Sequence, residues 1–220
     1  MNSTLVTGAN RGIGFELAKQ LKAQGHDVIA VCRNSSPELD HLGVRVEAGI
    51  DIADAKQVSD LAKCVANARL GLVIANAGIL KSDSLDTLQF DSIVEQFQVN
   101  ALGALRTIHA LLPRIEAGGK IALITSRMGS IADNGSGGYY GYRMSKAALN
   151  AAGVSLARDL AKRDIAVAIL HPGYVKTEMT GNAGGIEPRV AAAQLLARID
   201  GLNPQNSGTF WHANGEVLPW

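Results

Sequence analysis

At 220 residues the chain suits one domain and is long enough to bury a full core. A formal net charge of +1 argues against nucleic acid as the main partner, and no apolar run approaches the ~18 residues of a membrane span. Hydrophobic residues make up 47% with only 5% aromatics, a balance that suits a compact α/β protein.

Strand-like and helix-like stretches alternate from end to end, which predicts a parallel sheet of about seven strands with helices on both faces. Ser3–Thr7 is β-prone, and Phe15–Ala23 carries apolar residues at helical spacing. Val28–Cys32 reads as the second strand and Val44–Glu47 as a short third. A helix is expected around Ala55–Ala66, then a buried strand at Gly71–Ala75. Thr87–Leu112 is predicted helical and closes at Pro113. Lys120–Thr125 is the fifth strand, Tyr142–Lys162 a long helix, and Ala166–Leu170 the sixth strand. Pro188–Ile199 looks helical, and Gly208–Trp211 is the expected last strand. The first strand begins almost at Met1, leaving no room for a signal peptide. Cys32 and Cys64 are expected as free thiols, and the cytoplasm as the compartment.

Two short patterns carry the chemistry. Tyr142 and Lys146 stand four apart on one helical face, where a lysine cation beside a phenol is expected to pull its pKa toward neutrality. Thr7-Gly8-Ala9-Asn10-Arg11-Gly12-Ile13-Gly14 is a glycine-rich turn from strand to helix. Gly8 allows the tight turn, Gly12 leaves room for a phosphate, and Gly14 permits close packing of the helix. The helix then points its unsatisfied N–H groups and positive dipole end at a pyrophosphate. Other polar residues collect just past predicted strand ends, where open sheets bind ligands: Arg33, Asp51-Ile52, Asn76-Ala77-Gly78, Ser126 and Pro172-Gly173. No metal-ligand spacing and no nucleophile elbow is present.

In combination these motifs, with Asn100 and Pro172-Gly173-Tyr174-Val175-x-Thr177, resemble the short-chain dehydrogenase/reductase family from Thr4 to about Thr177. The runs Ser126–Asn134 and Gly208–Trp211 … Gly215–Trp220 are similar to C-factor and sniffer-type carbonyl reductases. The resemblance implies a single Rossmann-like, doubly wound domain spanning 1–220. It also implies Tyr142 as proton donor, Lys146 as its helper on the nicotinamide ribose, and Ser126 as the group that polarises the substrate oxygen. Asn100 is implied to anchor a water in a proton relay to Lys146, or else to cap a helix kink. Cofactor contacts are implied for Gly8, Asn10, Arg11, Gly12, Ile13, Gly14, Arg33, Asp51, Ile52, Asn76, Ala77, Gly78, Tyr142, Lys146, Pro172, Gly173, Val175 and Thr177, with Asp51-Ile52 at the adenine edge.

Ser126 and Tyr142 lie a few residues further apart than is usual in that family, the surplus falling in Asn134–Gly138. Ser130, Tyr139 and Tyr140 are the rival catalytic groups, but neither rival tyrosine has a lysine four residues on. At the end of the second strand, where an NAD enzyme usually places a carboxylate, stand Cys32 and Arg33. Arg33, with Arg11 beside it, suits the 2′-phosphate of NADP(H). The reading is an NADPH-dependent reductase of aldehydes or ketones, paired through its long helices as a homodimer or homotetramer. The alternatives are a cofactor-binding regulator with little turnover and an NAD-linked alcohol dehydrogenase. Arg127, next to Ser126, could attract a carboxylate on the substrate, and His171 is expected to be packed.

Overall fold

Apolar runs bounded by turns become parallel strands, and the amphipathic stretches between them cover both sheet faces. The computed structural model describes residues 2–220. Its elements are β1 (Ser3–Thr7), α1 (Gly12–Ala23), β2 (Asp27–Val31), α2 (Pro37–Asp40), β3 (Arg45–Glu47), α3 (Ala55–Cys64) and β4 (Leu70–Ala75). They continue with α4 (Phe90–Phe97), α5 (Ala104–Leu111), β5 (Ile115–Ile124), α6 (Tyr140–Leu160), β6 (Ala166–His171), α7 (Pro188–Asp200) and β7 (Phe210–His212). Strand order is β3-β2-β1-β4-β5-β6-β7, every neighbouring pair parallel. The chain therefore reverses its direction across the sheet between β1 and β4, the position at which such sheets open a ligand crevice.

Alternation along the strands sorts the core into two layers. Val6, Ala30, Ile74, Ala122 and Ala168 face α1 and α7, with Leu17, Leu21, Leu195 and Ile199 packed on them. Their neighbours Leu5, Ile29, Val73, Leu123 and Val167 face α3, α5 and α6 through Leu61, Ile108, Leu149 and Leu160. Both faces are thus buried, which is why these strands read as continuous apolar runs rather than alternating ones.

The sequence expectations need correction in three places. The helix expected over Thr87–Leu112 starts at Phe90 and is broken by a π-helical turn at Gln98–Gly103. Pro113 lies in a 3₁₀ turn, Leu112–Arg114, just beyond α5. The fifth strand starts at Ile115 rather than Lys120, and its pairing slips: Leu70 faces Ile115 but Leu72 faces Lys120. Gly118, at φ +77°, lies in the surplus segment. The long helix begins two residues earlier than expected, at Tyr140.

Candidate active site

The glycine turn is built as a joint between β1, α1 and β4. Gly8 takes φ +66°, and its N–H donates to the Val31 carbonyl at 2.8 Å. A Cβ on Gly14 would sit 2.1 Å from the Gly8 carbonyl oxygen and 2.5 Å from Asn76 Nδ2. Asn76 locks the joint: its Nδ2 donates to the carbonyls of Thr7 (3.0 Å) and Gly8 (3.2 Å), while its N–H donates to Thr7 Oγ1 at 3.1 Å. The start of α1 has no side-chain cap and no acidic residue in its first turn. Its free N–H groups and positive dipole end fit a pyrophosphate.

Around this joint opens a cleft of about 530 Å³. Gly8, Asn10, Arg11, Gly12, Ile13, Gly14, Arg33, Asp51, Ile52, Asn76, Ala77, Gly78, Tyr142, Lys146, Pro172 and Thr177 all line it. Gly173, Val175, Ser126 and Asn100 do not line it, although Pro172, Lys176, Thr125 and Val99 next to them in sequence do. Val175 is buried and pairs with Ile186 as an isolated bridge, while Gly173 turns the chain at φ +89°. Asp51 Oδ1 is occupied by the Ala53 N–H at 2.9 Å, and Ile52 is buried beside it. Cys32 is buried at the cleft edge, where burial pushes its thiol pKa up. Arg33 is exposed on the rim and has no ion-pair partner among the described residues. Arg11 reaches across to pair with Glu178 in the turn after Thr177. Arg33 thus stands on the rim as a cation without an ion-pair partner among the described residues, and the position of Cys32 carries no carboxylate.

Tyr142 and Lys146, one turn apart on α6, are both buried against the cleft. Burial pushes the Tyr142 phenol up to about 12, opposed in part by a hydrogen bond with Ser126, and pulls Lys146 down to about 8. The expected depression of the tyrosine by its lysine is therefore not what the geometry gives. Lys146 Nζ lies 5.7 Å from the Tyr142 ring centroid and donates to the Ile124 carbonyl at 2.9 Å. A phenol that keeps its proton is a donor at any physiological pH. Ser126, just past β5, accepts the Met128 N–H on Oγ at 3.1 Å. The rival Ser130 serves its own turn, accepting the Asp133 N–H at 3.1 Å.

Asn100 lies inside the π turn, fully buried. Its Oδ1 accepts the Ile79 N–H at 2.8 Å, and its Nδ2 donates to Ile79 O at 2.8 Å and Ser145 Oγ at 3.0 Å. A Cβ on Gly78 would meet Asn100 Oδ1 at 3.1 Å and Lys146 Nζ at 3.6 Å, so the two groups converge on one spot. The π turn places Asn100 there, as such bulges often do at functional sites.

Arg127 is already matched by two carboxylates, Asp133 at 3.1 Å and Glu216 at 2.9 Å, so it staples the C-terminal segment rather than awaiting a substrate anion. His171 packs edge-on to His212, centroids 4.9 Å apart. Burial, with His212, Arg127 and Lys146 nearby, pushes it down to about 3 and keeps it neutral. The surplus Asn134–Gly138 loop is gathered by Arg143, whose guanidinium donates to Ser136 Oγ at 2.9 Å and to the Gly138 carbonyl at 3.1 Å. Glu178, Gln96 and Asp83 also belong to this region, and no local sequence pattern marks them.

A sequence profile described as short chain dehydrogenase matches residues 2–185. The 1-hydroxy-2-glutathionyl-2-methyl-3-butene dehydrogenase of Rhodococcus sp. is 41% identical over 226 residues, covering 100% of both chains. The C-signal protein of Myxococcus xanthus is 41% identical over 152 residues, 68% of this chain and 92% of that one. Among solved structures, the carbonyl reductase Sniffer of D. melanogaster superimposes with a TM-score of 0.93 at 30% identity over 100% of both chains. The NADPH-bound carbonyl reductase from chicken fatty liver gives 0.91 at 28% identity, over 100% of this chain and 99% of that one. With its parallel seven-stranded sheet, its glycine joint and its Tyr-Lys pair in the cleft, the chain belongs to the short-chain dehydrogenase/reductase family of oxidoreductases.

Proposed function

We propose that the protein is an NADPH-dependent reductase of aldehydes or ketones, with Tyr142 as the proton donor. The observation that carries this reading is a buried Tyr142, one helical turn from a buried Lys146, lining the same cleft as the glycine joint. NADPH, when bound, supplies the hydride. The α1 N-terminus holds its pyrophosphate, and Arg33 and Arg11 hold its 2′-phosphate. Ser126 orients the substrate oxygen, and the Tyr142 hydroxyl gives it a proton. Lys146, charged below about 8, offsets the phenolate that forms. Asn100 keeps its part as anchor of a proton relay to Lys146, through the remaining lone pair of Oδ1.

The test is the rate of NADPH oxidation against aldehydes, ketones and quinones, with NADH in parallel. Turnover with NADPH supports the reading. Tight NADPH binding without turnover on any carbonyl would favour the regulator, an outcome that the C-signal likeness makes worth measuring. A second reading is alcohol oxidation, favoured by the full-length likeness to the Rhodococcus dehydrogenase. Including a glutathionyl alcohol with NAD and NADP separates the two directions.

Cofactor choice gives its own prediction. Arg33→Asp removes a charge-assisted contact worth about 1.5–3 kcal/mol and places a carboxylate against the phosphate. NADPH affinity should fall roughly 10- to 100-fold on that estimate while NADH binding holds or improves, as read by titrating protein fluorescence. Arg11 cannot compensate fully, because Glu178 competes for it. An unchanged NADPH:NADH ratio would remove Arg33 from the site.

For assembly, we propose a homodimer or homotetramer through α4 and α6. Phe90 is 72% exposed and Val94 57%, one turn apart on α4, and Met144 on the adjacent α6 is 54% exposed. These exposed apolar side chains on two packed helices support that interface. Val94→Glu should shift the particle toward monomer in light scattering, and an unchanged mass would place the interface elsewhere.

A further inference from the structure

Tyr142 is the third residue of a helix whose own sequence does not cap it. Tyr139, at the N-cap, sits in the left-handed region at φ +52° and makes no side-chain cap bond. The first N–H groups turn instead to one distant residue. The Asp83 carbonyl accepts the Tyr139 N–H at 2.9 Å. Its carboxylate accepts the Tyr140 N–H on Oδ1 at 2.5 Å and the Gly141 N–H on Oδ2 at 3.2 Å. Asp83 thus performs from another loop the work an aspartate at the N-cap normally does, and its charge faces the positive end of α6.

Asp83 is itself held at the end of an extended strap that leaves the cleft wall at Gly78. Ile79 and Lys81 of the strap are tied down through their backbone groups. Ile79 exchanges both backbone bonds with the Asn100 side chain, and the Lys81 N–H donates to Gln96 Oε1 at 2.9 Å. Gln96 and Asn100 stand four apart on one helical face, and both are fully buried. Gln96 also abuts α6, since a Cβ on Gly141 would meet its Nε2 at 2.6 Å. The strap therefore runs from the cofactor side of the cleft to the first turn of the helix that carries Tyr142.

We propose that Asp83 is a positioning residue for the reaction: by capping α6 from the strap that follows Gly78, it sets where the Tyr142 hydroxyl stands relative to Ser126 and the cofactor wall. The proposal rests on Tyr142 being the proton donor. A cap supplied locally would fix the helix but leave its register independent of the cleft wall. A cap supplied by Asp83 ties the two together, so a small shift of the first turn moves the hydroxyl out of line.

The test compares Asp83→Ala, Asp83→Asn, Tyr142→Phe and a matched control, Asp54→Ala. Asp54 caps α3 in the same way, accepting the Lys56 N–H at 2.8 Å and the Gln57 N–H at 3.1 Å. Each variant is assayed for kcat at saturating NADPH, carbonyl KM, NADPH affinity by fluorescence and melting temperature. Asp83→Ala should lose about tenfold or more in kcat with carbonyl KM and NADPH affinity within about twofold, the signature of a mispositioned group. Asp83→Asn keeps one acceptor and should recover most of that loss, while Asp54→Ala should lose comparable thermal stability and keep its kcat. Wild-type kcat in both Asp83 variants, with Tyr142→Phe inactive, would overturn the positioning role alone. An equal kcat loss in Asp54→Ala would reduce the effect to general destabilisation and overturn it too. Full turnover in Tyr142→Phe would overturn the proton-donor reading, and the positioning role with it.

Discussion

Tyr142→Phe should lower kcat for carbonyl reduction by roughly 10²–10⁴-fold, the range expected when a positioned general acid is removed. NADPH affinity should stay within about twofold, because the phenol contributes to chemistry far more than to binding. The loss belongs to kcat rather than KM: a hydroxyl that gives up its proton during reaction stabilises the transition state, and the ground state only weakly. The same assay across pH distinguishes the two members of the pair. Tyr142, pushed up to about 12 by burial, keeps its proton throughout the accessible range. Lys146, pulled down to about 8 by burial, carries its charge below that value and loses it above. Reduction should therefore be flat at lower pH and decline as pH rises through about 8, as the cation that offsets the developing phenolate disappears. A flat profile to well above that value would show that Lys146 remains charged in the working enzyme. Substantial kcat in Tyr142→Phe would transfer the proton-donor role to another group, Ser126 being the nearest.

What could be read from the chain divides by the range of the interaction. Val28–Cys32 and Ala166–Leu170 announce themselves because strands buried on both faces are continuous apolar runs, and each lies within a residue or two of its place in the sheet. The glycine turn was legible for the same reason: its conformational demands fall on residues adjacent in sequence. The π turn was not, since Val99, Ala101 and Leu102 satisfy an α-helical pattern as well as a π one. Nor was the early start of β5 at Ile115, because the small residues Ala117-Gly118-Gly119 read as a loop although the chain pairs with β4 on either side of them.

The missing pieces of the site are all contacts between distant residues. Arg11 and Glu178 are 167 positions apart, and Asp83 and Tyr140 are 57 apart. Neither partner carries a local pattern that names the other. The acidity of Tyr142 failed for a different reason. Helical spacing places Lys146 beside it correctly, but whether charge or burial prevails depends on how much of the surrounding chain covers the pair. Motif spacing fixes the direction of a side chain and leaves its dielectric surroundings open.

Gly14→Ala should cost the protein most of its dinucleotide affinity, even though alanine favours a helix interior by up to about 1 kcal/mol over glycine. Gly14 has a helical backbone, so no conformational penalty attaches to the substitution, and in isolation α1 would gain. The gain is overridden by contact. The added methyl would lie 2.1 Å from the Gly8 carbonyl oxygen and 2.5 Å from Asn76 Nδ2. Gly8 is main chain held at φ +66°, with its N–H bonded to Val31, so it cannot step aside without opening the joint between β1 and β2. Asn76 can move only by giving up its bonds to Thr7 and Gly8. Overpacking of this kind typically costs about 1–3 kcal/mol, more than the propensity gain, so the melting temperature falls as well. The relief that costs least swings the start of α1 away from the turn, which misdirects the N–H groups meant for the pyrophosphate. Losing their charge-assisted bonds, at about 1.5–3 kcal/mol, weakens NADPH binding by roughly 10- to 100-fold. Calorimetric titration of folded Gly14→Ala with NADPH checks this, with circular dichroism to confirm that the sheet persists. Wild-type affinity in that variant would mean that the dinucleotide does not depend on the α1 N-terminus for its pyrophosphate.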